Sequence, residues 1–365
     1  MTMPPLEAEI RRRIELAGPM PVRQFMALCL SHPQHGYYMT RDPLGRAGDF
    51  VTAPEVSQIF GELVGLWAAT VWQSMGAPEN VRLVELGPGR GTMMLDAMRA
   101  AHAVPAFRAA LVVHLIEMSP ALRRRQEETL KALDVLMLWH DSFAQVPDGP
   151  VIILANEFFD ALPVHQAVKQ INGWYERMVA IDGQGNFAFT IADEQIPLFE
   201  QLLPRNVRDA PLGALFEWRP DNLAFEIGRR VMHQGGAALV IDYGHTVSAP
   251  GETLQAVSRH GFADPLGTPG RVDLTAHVDF QALALAAEGM GVRVHGPLDQ
   301  AGFLRNMGIE RRGAALRTHA SPEKATDIDV AVARLTGAGR TGMGNLFKAI
   351  AFADPKIHAL PGFVR

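Results

Sequence analysis

The 365 residues exceed what one hydrophobic core ordinarily holds, which predicts either two domains or one domain with large insertions. With 48% hydrophobic and 20% charged residues and no biased tract, the composition excludes a disordered chain. The formal net charge of -5 gives no long-range pull on phosphate backbones or anionic lipid, although Arg123, Arg124 and Arg125 form a local basic run. Nucleic acid is therefore disfavoured as the main partner. Cys29 is the only cysteine, so an intrachain disulfide and a thiolate metal cluster are excluded, and a reducing compartment fits best.

The opening residues mix Glu7, Glu9 and Glu15 with arginines and lack the apolar stretch of a secretory signal. No apolar run reaches the roughly 18 residues of a membrane span. A cytoplasmic protein without membrane insertion is expected. Apolar spacings of three and four predict helices over Glu7 to Leu16 and Val22 to Leu30, separated at Gly18-Pro19. An irregular loop, HPQHGYYMTRDPLGRAGDFVTAPE, follows, and helical periodicity resumes from Val56 to Trp72. Ordered loops of that length tend to be functional.

From Val81 the pattern changes. VRLVEL, ALVVHLIE, DVLMLW and PVIILAN are short apolar runs alternating with helical stretches at Thr92 to Ala101 and Pro120 to Leu133, the signature of a parallel sheet with crossover helices. GAALVIDYG, from Gly236 to Gly244, is a fifth run. The Asn172-Gly173 and Gly183-Gln184-Gly185 turns predict a β-meander inserted between the fourth and fifth runs. The stretch from Leu254 to Ala320 is mixed, and NLFKAIAFA reads as a final edge strand. These patterns divide the chain into N-terminal helices and a covering loop, 1–78, and a sheet domain, 79–365, with insertions at about 164–222 and 254–320.

In VRLVELGPGRGTMMLDAMR a strand ends at Glu85-Leu86, Gly87-Pro88-Gly89 and Gly91 form a tight turn, and a helix begins near Thr92. Glycines suit a strand-to-helix turn of positive φ on which a ligand touches bare backbone, and the following helix N-terminus offers unpaired N–H groups to a carboxylate. Thr92 stands where the dinucleotide fingerprint wants glycine or alanine, which disfavours NAD. Glu85 would repel a pyrophosphate but complements the ammonium and sulfonium of S-adenosylmethionine (SAM). Glu117, followed by Met118 at the end of the second strand, can accept from two ribose hydroxyls, or alternatively belongs to the N-cap region of the next helix. Asp141-Ser142, after the third strand, is a candidate for the adenine amino group and equally a turn.

The chain resembles the MidA family of protein arginine methyltransferases, which act in assembly of respiratory complex I. The resemblance rests on GPMPVRQFM, HGYY, GDFVTAPEVSQIFGELVGLW, VELGPGRGTMMLDAMR, EMSPALRRRQ, ANEFFDALPVHQ, VIDYGH and DLTAHVDF, in family order over nearly the whole chain. It implies a class I SAM-dependent fold, Rossmann-like, with a mostly parallel sheet and helices on both faces. It also implies a complex I core subunit near the quinone site as protein substrate, and symmetric arginine dimethylation. Eukaryotic relatives would act in the mitochondrial matrix. The rival readings are a SAM-binding assembly factor without turnover and a small-molecule methyltransferase.

A guanidinium is a poor nucleophile, protonated up to a pKa above about 12, and needs carboxylates to orient it. ANEFFDALP supplies Glu157 as the first candidate clamp, with Asp160 and Asn156 beside it just past the fourth strand. Asp49, Phe50, Thr52 and Glu55 in GDFVTAPE resemble the family's cofactor cover, and Tyr37 and Tyr38 are candidates for walls of the same pocket. Asp242 is either a cleft residue or a turn aspartate. His165, His245 and His277 read best as structural histidines. Asp273, His277 and Asp279 lack strict ligand spacing, so no metal is expected. For His277, assistance in proton removal is a secondary hypothesis.

Overall fold

The computed structural model describes residues 3–40, 51–220, 222–258, 261–339 and 342–363. Its central sheet comprises β1 (Val81–Leu86), β2 (Leu111–Ile116), β3 (Met137–His140), β4 (Val151–Asn156), β5 (Gly236–His245), β6 (Arg293–Asp299) and β7 (Phe347–Ala353). In space the order is β3-β2-β1-β4-β5-β7-β6. The first five are parallel, and β7 runs antiparallel to both β5 and β6. The near-continuous apolar runs follow from burial on both faces. Ile152 and Leu154 face one core with Leu83 and Leu239, while Val151, Ile153 and Ala155 face the other with Val84 and Val240.

The first core is capped by α3 (Gln58–Ser74) and α4 (Thr92–Ala101), following α1 (Pro5–Ala17) and α2 (Val22–Ser31) in the chain. A Cβ on Gly65 would lie 2.6 Å from the Ala97 Cα, so the small residue lets these two helices touch backbone to backbone. After α5 (Pro120–Leu130), the second core is closed by α6 (Asn222–Gln234) and α7 (Phe280–Glu288).

Three features depart from the expectations. NLFKAIAFA is not the edge: β7 lies inside β6, as its buried Ala349–Ala353 run allows, while β6 exposes Arg293 and Asp299. The 254–320 segment is only partly an insertion, because α7 and β6 belong to the main sheet layers. α3 packs on that sheet, whereas α1 and α2 form their own core with Val164, with Val179 of the meander and with Leu274. The meander itself comprises His165–Gln170, Gly173–Ile181 and Phe187–Gln195, extended by Leu215–Trp218 and by Met20–Pro21 pairing with Met178 and Val179. Among the described residues no helix is long and apolar enough to cross a membrane.

Candidate active site

Ligands of open parallel sheets bind at the carboxyl ends of the strands where the order reverses, here between β1 and β4. A cavity of about 370 Å³ lies at that point, lined by the tips of β1 to β4 and covered by Leu30, Tyr38, Met39, Thr52 and Pro54 from the N-terminal region. The size suits a nucleoside-like ligand.

Beyond β1 the chain takes Gly87 (φ 63°), Gly89 (φ 55°) and Gly91 (φ 81°) in the left-handed region. A Cβ on Gly87 would stand 2.7 Å from Phe158 Cδ2, so glycine is required there for space as well as conformation. Gly91 caps α4 without a side chain, leaving the first N–H groups of the helix available. Gly87, Pro88 and Gly89 line the cavity. So does Glu85, which is 2% exposed; its Oε2 has no partner among the described residues, and burial pushes its carboxyl up to about 8. A buried acceptor without a donor, at the rim of a cavity, fits a cationic ligand group.

At the tip of β2, Glu117 lines the cavity and accepts from the Ser119 N–H (2.8 Å) and from Gln126 Nε2 (3.1 Å). Both oxygens retain lone pairs for ligand hydroxyls. Burial raises its pKa against these hydrogen bonds. Met118, 53% exposed, forms an apolar wall, and Asp141 and Ser142 line the far end. Asp141 accepts from Arg123 Nη2 at 2.6 Å in an exposed pair.

Opposite the glycine turn, Asn156 and Glu157 line the cavity from the end of β4. Glu157 has φ 49°, a conformation unfavourable for a residue with a Cβ and concentrated at functional sites. Its Oε1 accepts from the Ala53 N–H (2.9 Å) and Asn156 Nδ2 (3.2 Å), and the buried Asn156 Oδ1 has no partner among the described residues. Burial drives the Glu157 carboxyl up to about 7.

Asp160 does not line the cavity. It lies buried behind it beside Arg219, and burial raises its pKa. Asp242 is not a cleft residue either. Fully buried at the end of β5, its Oδ2 accepts from the N–H groups of Phe158 (3.2 Å), Phe159 (2.9 Å) and Asp160 (3.2 Å) and its Oδ1 from Tyr243 N–H (2.9 Å). This clasp holds the turn that presents Glu157. Arg219 ties the same turn to its neighbours by donating to the carbonyls of Leu162, Asp160, Ala276 and His277.

Of the expected cover, Thr52 lines the cavity. Glu55 instead accepts from Thr92 Oγ1 at 2.6 Å, joining the cover to α4, while Asp49 and Phe50 lie outside the described residues. Tyr38 walls the pocket and donates to Asp273 (2.8 Å); Tyr37 is buried in the N-terminal core. His165 stacks on Trp218, and His277 packs edge-on against Tyr243 outside the cavity lining. Asp279 caps α7 and lies 3.7 Å from His245. Phe158, Gln126 and Arg219 escaped the sequence reading, although Phe158 and Gln126 stand within motifs it singled out.

The strand order, the glycine turn and acids at successive strand tips define a SAM-dependent methyltransferase. Residues 63–298 match a family described as S-adenosyl-L-methionine-dependent methyltransferases. The Drosophila melanogaster mitochondrial protein arginine methyltransferase NDUFAF7 homolog is 37% identical over 95% of this chain and 84% of its own length. The human mitochondrial protein arginine methyltransferase NDUFAF7 is 37% identical over 84% of this chain and 74% of its own. A crystal structure of a Burkholderia thailandensis protein bound to S-adenosyl-homocysteine superposes with a TM-score of 0.85 at 31% identity, covering 100% of this chain and 98% of that one. The chain belongs to this methyltransferase family, whose cofactor is SAM.

Proposed function

We propose that this enzyme methylates an arginine nitrogen of a protein substrate, with Glu157 as the residue that holds and activates the guanidinium. The relatives named as protein arginine methyltransferases support an arginine substrate. The observation that carries the role of Glu157 is its placement: a carboxylate on a left-handed backbone, at the cavity wall, held in place by Ala53 N–H and Asn156.

Glu85 would take the ligand's amine, Glu117 the ribose hydroxyls, Asp141 and Ser142 the adenine end, and the bare backbone of the glycine turn would lie beneath. Bound SAM supplies an electrophilic methyl group on a sulfonium. The chain's task is alignment and exclusion of water, where orientation is worth on the order of 7 kcal/mol or more. Phe158, Leu162 and Leu223 supply apolar walls. Glu157, with Asn156 Oδ1, pairs with the guanidinium hydrogens and turns one nitrogen toward the methyl, and the carboxylate then receives the proton that nitrogen releases. A guanidinium beside Glu157 favours its charged form, so substrate binding itself primes the base. Asp160 supports the turn from behind.

The family resemblance extends this reading to a respiratory complex I core subunit near the quinone site, dimethylated symmetrically. The reaction would take place in the cytoplasm of a bacterium or the matrix for the mitochondrial relatives. The test is incubation with methyl-labelled SAM and the quinone-site core subunit, followed by mass-spectrometric mapping. The expected result is label on arginine. Tight S-adenosyl-homocysteine binding with no transferred label would instead identify a SAM-binding assembly factor.

A further inference from the structure

Helix α5 buries Leu122, Gln126 and Leu130, an apolar stripe at spacings of four interrupted by one amide. A polar side chain in such a row costs free energy unless fully hydrogen-bonded. Gln126, completely buried, is fully bonded, and to parts of the site rather than to its own helix. Its Oε1 accepts from Trp139 Nε1 on β3 at 2.9 Å. Indole N–H is a donor only, so this contact fixes the amide's orientation. The two hydrogens on Nε2 then point to the Gly89 carbonyl (2.8 Å) and Glu117 Oε2 (3.1 Å). A Cβ on Gly91 would stand 3.6 Å from the Gln126 Cα, so the helix backbone also abuts the turn. One side chain thus joins the tips of three neighbouring strands.

We infer that Gln126 is a positioning residue for cofactor binding, setting the distance between the glycine turn and the carboxylate of Glu117 so that both meet one ligand together. This rests on the reading of Glu117 as the ribose acceptor. Glu117 Oε1 is anchored by Ser119 N–H, but without Gln126 its Oε2 loses its protein donor and the carbonyl of Gly89 loses its tie to α5. The acid can then rotate away from the hydroxyls, and the turn loses its brace.

The test is a double-mutant cycle read by calorimetric titration of the full chain with S-adenosyl-homocysteine, using Gln126→Met, Glu117→Ala and the double variant, with thermal melts of each. Removing hydrogen bonds to a charged group predicts a loss of affinity of about tenfold or more for each single variant. Because Gln126 acts in part through Glu117 and in part through the Gly89 carbonyl, its effect should shrink but not vanish in the Glu117→Ala background, the double variant binding within about threefold of Glu117→Ala. Should Gln126→Met fail to fold, Gln126→Glu replaces it in the cycle; it keeps the acceptor for Trp139 but turns an oxygen toward Gly89 and Glu117. Binding by the Gln126 variant within about twofold of wild type, or an undiminished effect in the Glu117→Ala background, overturns the positioning role alone. Unchanged binding by Glu117→Ala overturns the ribose reading and the positioning role with it.

Discussion

Two turns face each other across the switch point, one after β1 and one after β4, and both pass through left-handed backbone. The first does so at Gly87, Gly89 and Gly91, where the conformation is nearly free; the second does so at Glu157, where it costs on the order of 1 kcal/mol or more. The glycine turn needs no side chain, because its work is to let a ligand approach backbone. The second turn must deliver a carboxylate, so the strain is accepted and offset by the Asp242 clasp, by Arg219 and by the Glu157 N–H donating to the Ile241 carbonyl. A binding turn and a chemical turn are thus built by different means from neighbouring strands.

The contrast is broken most sharply at Glu157. Glu157→Gln should lower the rate of methyl transfer about 1,000-fold, while S-adenosyl-homocysteine affinity measured by calorimetry stays within about threefold. Gly89→Val is the converse: strain at φ 55° and a branched side chain beneath the ligand should weaken that affinity about 100-fold, as the same titration would show. Asp242→Asn places an NH₂ among N–H donors and should lower unfolding free energy by about 2 to 3 kcal/mol in denaturant titrations.

The smallest effects are those of pH. Glu157, held near 7 in the ligand-free chain, must be ionised to pair with a guanidinium, so kcat/KM should rise between pH 6 and pH 8. Stability should move the other way. Glu157 and Glu85 have folded values of about 7 and 8 against 4.5 in the free side chain, so their contribution is complete below 4.5 and is lost as pH rises through the folded values. The ligand-free melting temperature should therefore fall between pH 5 and pH 9, and fall less in Glu157→Gln.

The glycine turn and the parallel sheet were legible because each rests on local pattern: apolar runs, alternate glycines and an acid at a strand's last position. Glu157 was visible for the same reason, sitting directly after β4. Asp160 was misplaced because only two residues separate it from Glu157, and nothing local reveals that Asp242, far along the chain, gathers the N–H groups of Phe158, Phe159 and Asp160 and turns Asp160 behind the wall. Arg219 was hidden likewise, since its carbonyl partners come from two distant segments. Gln126 lay in a motif already noted, but its role depends on strand tips that meet only in the folded sheet. The exchange of β6 and β7 at the edge reflects a non-local pairing that the apolar run of β7 does not announce.

A crystal structure of the chain with S-adenosyl-homocysteine tests the division of labour between the two turns most directly. The expected result is the adenosyl group over Gly87–Gly91, the ribose hydroxyls on Glu117, and the sulfur turned toward Glu157. A sulfur directed away from β4, with Glu157 still bound only to Ala53 and Asn156 and remote from the ligand, would contradict the assignment of Glu157 to the chemistry.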